Sequence, residues 1–260
     1  MDQTEDKETA MAYYLITFSP TGGTARTAGI LASAIADSWT AIDLLRAVPE
    51  TNLTAEDVCL IALPSFGGRI PTTSAERLKS IRANGARAIL LCVYGNRAYE
   101  DTLSELQDVL DDRGFRCFAA AAAIAEHSII RVFGKGRPDD ADCAELAGFA
   151  EKIRERLENP VNSPLRVPGQ HSAYKPYQNT PFVPAETDAC VNCGTCAEAC
   201  PTEAIGDAPE KIDPAKCIKC MRCEAVCPTG ARKLDEKITA MLRERLAAVC
   251  GTRKANELFL

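Results

Sequence analysis

Hydrophobic and polar positions follow two alternating patterns along the first 158 residues of this chain. Short apolar runs, each typical of a strand, lie at residues 12–18, 40–45, 57–63, 86–94 and 116–125. Apolar positions at helical spacing lie at residues 24–37, 72–82, 99–112 and 141–157. The alternation of strand and helix predicts a parallel sheet that helices cover on both faces.

The sequence changes character after residue 158. Six prolines fall in the 25 residues from Pro160 to Pro184, which rules out a helix and predicts an extended linker at 159–185 that wraps a surface. A cysteine-rich module follows at 186–233, and a last amphipathic helix is predicted within 234–260. The polar residues 1–11 are expected to be a disordered leader, and Met11 is an alternative start of translation.

The acidic balance of the chain limits its partners. Its formal net charge of −6 argues against a nucleic-acid binder, which would need a basic stripe, but it allows docking to a basic protein. No apolar run approaches the roughly 18 residues that a membrane span requires. No signal peptide opens the chain, so we expect a cytoplasmic protein whose cysteines stay reduced.

Eight of the thirteen cysteines form an internal repeat. The pattern Cys-x-x-Cys-x-x-Cys-x-x-x-Cys-Pro-Thr starts at Cys190 and again 27 residues later at Cys217. In [4Fe–4S] ligation, three cysteines of such a copy bind one cluster and the fourth binds the other. The predicted crossed ligand sets are Cys190, Cys193, Cys196 and Cys227 for cluster one, and Cys217, Cys220, Cys223 and Cys200 for cluster two. Zinc is the alternative, but zinc sites usually pair two Cys-x-x-Cys elements.

A hydroxyl-rich loop follows the first predicted strand. Phe18 is followed by Ser-Pro-Thr-Gly-Gly-Thr-Ala, and a helix begins there. Hydroxyl groups and the N–H groups at a helix start form a cradle for a phosphate dianion. The candidate residues are Ser19, Thr21, Gly22, Gly23, Thr24 and Ala25. The loop has neither the lysine of a nucleoside triphosphate P-loop nor a dinucleotide Gly-x-Gly-x-x-Gly, and a plain helix start capped by Thr24 is the alternative.

Two further loops follow the third and fourth strands, where a doubly wound sheet binds its ligand. Their candidate residues are Ser65, Phe66, Gly67, Gly68, Tyr94, Gly95, Asn96 and Tyr99. Phe66 and Tyr99 are predicted to stack on a flat ring, with Tyr94 in reserve, while the glycines let the backbone approach it. The alternative is a set of turn glycines beside packed aromatic side chains.

Charged residues beside these motifs leave alternatives open. Lys216, Lys219 and Arg222 surround the second cysteine copy, where they raise the potential of its cluster, dock a partner or form a solvated face. His127 follows the fifth strand and is either a proton relay or a histidine satisfied within its loop.

The loop at 19–24 resembles the flavodoxin phosphate loop, (Ser/Thr)-x-Thr-Gly-x-Thr, and the cysteine repeat resembles that of bacterial two-cluster ferredoxins. The chain as a whole resembles the flavodoxin–ferredoxin fusion proteins of anaerobes, the EFR-type ferredoxin family. This resemblance implies a flavodoxin-like, FMN-binding α/β domain at 12–158, with a doubly wound five-stranded parallel sheet of order 2-1-3-4-5. It also implies a C-terminal α+β ferredoxin-like domain at 186–233 with two [4Fe–4S] clusters.

The two modules together predict electron transfer between the clusters and FMN, with an unidentified redox protein as donor or acceptor. Two alternatives remain. The chain is an FMN-dependent reductase of a small acceptor that the clusters supply with electrons. Otherwise it is a ferredoxin subunit whose flavodoxin-like domain binds no flavin and serves only for docking.

Overall fold

The computed structural model describes residues 11–161, 163–177, 182–206 and 212–260, so the predicted leader lies outside it apart from Met11. The elements of the N-terminal part are β1 (Tyr13–Thr17), α1 (Gly23–Ile35), β2 (Thr40–Asp43), β3 (Thr51–Asn52), β4 (Val58–Pro64), α2 (Thr72–Leu78), β5 (Ile81–Arg82), β6 (Arg87–Tyr94), α3 (Thr102–Asp112), β7 (Arg116–Ile124) and α4 (Asp140–Glu158). Those of the C-terminal part are β8 (Ala185–Glu186), α5 (Thr195–Glu198), α6 (Arg222–Ala225), β9 (Arg232–Lys233), α7 (Glu236–Cys250) and β10 (Glu257–Phe259).

The main sheet has six strands in the order β10-β7-β6-β4-β1-β2. Five of these strands are parallel: β1, β2, β4, β6 and β7. Numbered one to five in chain order, they confirm the predicted order 2-1-3-4-5 and the doubly wound α/β fold. The sixth strand, β10, pairs antiparallel with β7, with Leu258 opposite Ala121. The expectation of five strands is therefore wrong at this edge, because the end of the chain returns to the sheet and adds a strand.

Two hydrophobic cores lie on opposite faces of the main sheet. Every residue of β4 is buried, and its side chains alternate, with Ile61 in one core and Leu60 in the other. Helices α2 and α3 cover the first face with residues such as Leu78 and Leu106. Helices α1 and α4 pack together over the second face. Burial on both faces explains why the central strands read as nearly continuous apolar runs.

Residues 163–177 of the predicted linker, which we call the strap, lie against α3 and the loop after β4. Leu165 is buried in the core beneath α3, and Gln107 donates a hydrogen bond to its carbonyl oxygen. At the other end, the Tyr177 hydroxyl donates to the carbonyl oxygen of Ile70 at 2.6 Å. The strap is therefore packed onto the α/β domain along its length.

The last helix, α7, lies beside the loop after β7. Asp235 caps it by accepting hydrogen bonds from the N–H groups of Lys237 and Ile238. Leu242 and Leu246 pack against Ile130 and Phe133 of the loop. None of the helices in the described ranges has the length and apolar composition that crossing a membrane requires.

Candidate cofactor sites

Cysteines from both copies of the repeat surround one small cavity in the cysteine-rich domain. They are Cys190, Cys193, Cys196 and Cys227, the set predicted for cluster one. Left-handed backbone at Asn192 (φ 52°) and Gly194 (φ 76°) curls the loop around this cavity. Three of the four side chains therefore come from one short loop, and the fourth comes from the end of the second copy.

A second cavity lies within the same domain. It is surrounded by Cys200, Cys217, Cys220 and Cys223, the set predicted for cluster two. Left-handed backbone at Lys219 (φ 54°) and Met221 (φ 60°) repeats the geometry of the first copy. The short helix α5 of the first copy contacts the short helix α6 of the second copy. The structure thus brings all eight predicted cysteines together, in the crossed arrangement.

The donor groups around both cavities fit an iron–sulfur cubane better than a single metal ion. Zinc sites usually pair two Cys-x-x-Cys elements, whereas each set here combines a Cys-x-x-Cys-x-x-Cys loop with one cysteine from the other copy. Each set of four thiols surrounds a cavity, as a cubane requires. N–H groups approach sulfur in both sets: Ala204 N lies 3.3 Å from Cys200 Sγ, and Arg232 Nη2 lies 3.7 Å from Cys196 Sγ.

The two cysteine sets differ in their exposure to solvent. Cys193 of the first set is exposed, whereas Cys220 of the second set is only 8% exposed. A hydrogen bond with the Thr195 side chain lowers the pKa of Cys193, while burial raises the pKa of the Cys220 thiol to about 12. The most exposed thiol therefore belongs to the first set and the most buried one to the second, while the other six cysteines have intermediate exposure.

The loop after β1 enters α1 through Gly22, whose φ of 90° few other residues adopt. Ser19 Oγ accepts a hydrogen bond from the N–H of Ala25 at 2.8 Å, and both Ser19 and Thr24 are buried. Thr24 lies inside the first turn of α1, so the alternative in which it caps the helix is wrong. The loop residues that line a large cleft are Thr21, Gly22 and Gly23. The predicted phosphate-binding groups that remain available are Thr21 and the N–H groups of Gly23 and Thr24, because the N–H of Ala25 already donates to Ser19.

The cleft has a volume of about 1140 Å³ and lies between the α/β domain and the cysteine-rich domain. Its walls are the loops after β1 and β7 together with helices α6 and α7. Met221, which is 2% exposed, lines both this cleft and the cavity of the second cysteine set. Arg232 lines both the cleft and the cavity of the first set. One cleft therefore adjoins the loop after β1 and both cysteine sets.

The loop after β4 lies away from this cleft and packs against the strap. Phe66 N donates a hydrogen bond to the carbonyl oxygen of Arg69 at 2.8 Å, and Arg69 Nη1 donates to the carbonyl oxygen of Lys175. A β-carbon on Gly68 would lie 1.9 Å from Glu100 Oε2, so the close approach of this carboxylate requires glycine there. The predicted site residues outside the cleft here are Ser65, Phe66, Gly67 and Gly68. Phe66 does not line the cleft, and its stacking on a cofactor ring stays a prediction.

The loop after β6 is occupied by the end of the chain. Tyr94 is buried and meets Tyr99 edge-on, with ring centroids 5.2 Å apart. The buried Asn96 side chain donates hydrogen bonds of 2.8 Å to the carbonyl oxygens of Cys250 and Thr252. The predicted site residues outside the cleft here are Tyr94, Gly95, Asn96 and Tyr99. Their contacts fit the alternative of packed aromatic side chains beside a turn.

His127 follows β7 and lies in the wall of the cleft. Its Nδ1 accepts hydrogen bonds from the N–H groups of Ile129 and Ile130, both at 3.1 Å. Burial, and next the positive charge of Arg97, lower the pKa of His127 to about 4. A β-carbon on Gly95 would lie 2.8 Å from His127 Cα, so the loops after β6 and β7 touch. The neutral ring is satisfied within its loop, which argues against a proton relay.

Arginines join the two domains by hydrogen bonds to main-chain carbonyl oxygens. The pairs are Arg222 with Pro20 (3.0 Å), Arg46 with Glu198 (3.0 Å) and Arg77 with Pro201 (2.5 Å). Arg222 Nε is buried without a hydrogen-bond partner in the described part of the chain. Because Arg222 lines the second cysteine cavity, a cluster sulfur is a suitable acceptor for this N–H group. Of the alternatives for Arg222, docking fits the structure, and the partner is the α/β domain of the same chain.

Sequence reasoning missed Met221 as a site residue. The signal was a difference between the two copies of the repeat, since Gly194 of the first copy corresponds to Met221 of the second. Both positions have left-handed backbone, which is uncommon for a residue other than glycine. A large side chain at a position whose backbone conformation favours glycine indicates a functional role for that side chain.

Residues 189–231 match the model of a family described as 4Fe-4S dicluster domain. Among solved structures, the chain is similar to rubredoxin oxygen:oxidoreductase from the anaerobe Desulfovibrio gigas (17% identity, 58% of this chain, 37% of that chain, TM-score 0.42). It is also similar to a Streptococcus pneumonia TIGR4 flavodoxin (18% identity, 56% and 99% covered, TM-score 0.41) and to Fusobacterium nucleatum flavodoxin bound to flavin mononucleotide (11% identity, 56% and 98% covered, TM-score 0.40). The chain thus spans little more than a third of the oxidoreductase. A comparison with curated proteins gives no match.

The order of the sheet and the dicluster match together define the organisation of the chain. A flavodoxin-like α/β domain is joined to a 4Fe–4S domain, as the sequence predicted. Iron–sulfur clusters of this type carry electrons, so electron transfer is the general function of the chain.

Proposed function

We propose that this chain passes electrons between two [4Fe–4S] clusters and an FMN bound in the cleft. The observation that carries the proposal is the position of Met221, which lines both the cleft and the cavity of the second cysteine set. A cofactor in the cleft and a cluster in that cavity would have this side chain as their shared wall. The arrangement supports direct exchange between them.

The eight cysteines would hold the clusters in the crossed sets. Cluster one would be bound by Cys190, Cys193, Cys196 and Cys227, and cluster two by Cys200, Cys217, Cys220 and Cys223. Cluster one would be the terminal nearer solvent, since Cys193 is exposed, and cluster two would be the inner relay. Each transfer between them moves one electron and requires no proton.

The cleft residues would bind and orient FMN. Thr21 and the N–H groups of the first turn of α1 suit a phosphate dianion, and Arg26 adds a positive charge to the same wall. Ile129, Met221 and Leu234 provide apolar surface that excludes water. When bound, FMN supplies the conversion between one-electron and two-electron chemistry.

The test compares Thr21→Glu with Thr72→Glu after anaerobic purification. Each variant adds one negative charge at the start of a helix, α1 in the first case and α2 in the second, and both side chains are exposed. We expect about eight irons per chain in both proteins, as two cubanes require. Thr21→Glu should bind FMN at least about tenfold more weakly, because the carboxylate repels the phosphate. Thr72→Glu should retain the wild-type affinity.

Three results would contradict the proposal. If the wild-type protein does not bind FMN after reconstitution, FMN has no part in the function. Iron well below about eight per chain removes one of the clusters. Equal FMN affinity in the two variants shows that the flavin binds elsewhere.

A second candidate is a flavin-dependent reductase of a small acceptor. The size of the cleft, about 1140 Å³, favours it, because such a volume leaves room beside a bound cofactor. Steady turnover of a quinone by the reduced holoprotein, lost in Thr21→Glu, would distinguish this enzyme from a pure carrier.

A further inference from the structure

The two copies of the cysteine repeat place equivalent aliphatic side chains in opposite surroundings. Val191 and Ile218 hold the same position in their copies, which are offset by 27 residues. Ile218 packs against the core of the α/β domain that α2 and α3 cover. Val191 is 64% exposed. A contact that the second copy makes with a neighbouring domain is therefore left open in the first copy.

The charges around the two copies differ in the same sense. The basic residues Lys216, Lys219 and Arg222 of the second copy correspond to Ala189, Asn192 and Thr195 of the first. Asp188, two residues before the first copy, and Glu198, within it, are both exposed. Arg232, the cation beside its cysteines, is 2% exposed and pairs with Glu186 at 2.9 Å. Residues 190–202 contain no lysine or arginine, so the first copy presents an apolar centre without the basic side chains of the second copy.

We infer that this surface docks an external one-electron redox protein whose cofactor lies beneath a basic rim. The surface, which we call the cluster-one face, consists of Val191, Asn192, Cys193, Pro228 and Thr229, all of them exposed beside the first cysteine cavity. The inference rests on the proposed two-cluster function and adds to it the site where electrons enter or leave.

In this proposal, the partner contacts the first copy of the repeat in the way that the α/β domain contacts the second copy. The partner packs an apolar patch on Val191, as the α/β domain packs on Ile218. Its basic rim meets the exposed carboxylate of Asp188, and such charge complementarity accelerates encounter and fixes orientation. One electron then passes between the partner's cofactor and cluster one, which changes the oxidation state of each by one and forms no bond.

The experiment titrates the oxidised holoprotein with ferric cytochrome c, a basic one-electron carrier, in an isothermal calorimeter. No electron transfers between two oxidised proteins, so the titration reports binding alone. Val191→Lys removes the apolar centre and repels the basic probe. Val161→Lys makes the same charge change at a valine that is 56% exposed and lies outside the cysteine-rich domain.

We expect Val191→Lys to raise the Kd at least tenfold and Val161→Lys to change it less than twofold. Should Val191→Lys lower the iron content, the isosteric Val191→Thr repeats the comparison and should still raise the Kd. Equal effects of the two lysine variants, or no effect of either, overturn the inference. Self-association that Val191→Lys abolishes while cytochrome c binding stays unchanged also overturns it, because the face then docks a second copy.

The outcome is separable from that of the proposed function. In the wild-type protein, reduction by dithionite and the subsequent electron transfer to FMN test the proposed function without any partner protein. A wild-type protein without FMN or with a single cluster contradicts the proposed function instead. If the wild-type protein contains FMN and both clusters, but substitution of Val191 leaves the Kd for cytochrome c unchanged, only the docking surface is contradicted.

Discussion

Arg222 donates a hydrogen bond from Nη1 to the carbonyl oxygen of Pro20 at 3.0 Å. Arg222 lies in the wall of the second cysteine cavity, and Pro20 lies in the loop after β1. The bond therefore fixes the position of proposed cluster two relative to the loop proposed to bind phosphate. Met221, the preceding residue, lies in the wall that the cleft and the cavity share.

Arg222→Ala should slow electron transfer between cluster two and FMN by about fivefold or more. The loss of one hydrogen bond at a domain interface costs about 1 kcal/mol and loosens the two cofactor sites relative to each other. The rate is measured by rapid reduction of one cofactor and spectroscopic observation of the other. Arg46→Ala is the control, because Arg46 also bonds a carbonyl oxygen across the interface, that of Glu198, away from the cleft. Equal slowing in both variants would show a general effect of domain docking.

The crossed ligand sets predict which cysteines lose protection when one is replaced. Cys200→Ala should lower the iron content from about eight to about four per chain. Although Cys200 belongs to the first copy, alkylation of the native protein should then modify Cys217, Cys220 and Cys223. Mass spectrometry of the digested protein locates the modified residues.

Cys227→Ala is the reciprocal variant and should expose Cys190, Cys193 and Cys196. Alkylation confined to the copy that carries the replaced cysteine would mean that each copy binds its own cluster, and the crossed assignment would be wrong.

The parallel sheet was predictable because burial on both faces leaves a local trace. All seven residues of β4 are buried, and its apolar run is continuous in the sequence. β10 left no such trace. It is three residues long, and it forms because Phe259 pairs with Ala120, a partner far away in the chain. Its place in the sheet depends on tertiary contacts that periodicity does not report.

The candidate sites divide in the same way. The cysteine sets follow from the spacing of a single repeat, and each predicted set surrounds one cavity of the structure. The contacts of the aromatic residues in the loops after β4 and β6 depend on which other segments of the chain pack against these loops. The strap contacts Arg69, and Asn96 bonds the segment after α7, and both segments are distant in sequence from the loops that they meet. A glycine beside an aromatic residue looks the same in the sequence whether it faces a flavin or another part of the chain.

Glu105→Gln should destabilise the α/β domain by about 3 kcal/mol. Glu105 and Arg69 form a bidentate pair in which both side chains are about one-tenth exposed, at 8% and 11%. Removal of the carboxylate charge leaves a buried guanidinium without its counterion. The free energy of unfolding is measured by urea titration with far-ultraviolet circular dichroism.

The control for this prediction is Glu76→Gln. Glu76 pairs with Lys79, but these side chains are 67% and 61% exposed, so we expect a change below about 1 kcal/mol. A similar loss of stability in both variants would show that burial of the Arg69 pair is unimportant.

His127 should make the stability of the protein depend on pH between about 6.5 and about 4. Burial lowers the pKa of His127 in the folded protein to about 4, whereas an unfolded histidine titrates near 6.5. As the pH falls below about 6.5, the unfolded chain binds a proton that the folded chain does not bind, so stability decreases. The decrease continues until the pH reaches the folded pKa. The total loss from this group is at most about 3 kcal/mol.

His127→Asn tests this prediction, because an asparagine Oδ1 can still accept from the N–H groups of Ile129 and Ile130 and does not titrate. Urea midpoints measured at a series of pH values should fall less steeply between about 6.5 and about 4 in this variant than in wild type. If His127→Asn keeps the full wild-type slope, protonation of other groups governs the pH dependence, and the half-buried His127 ring does not contribute to it.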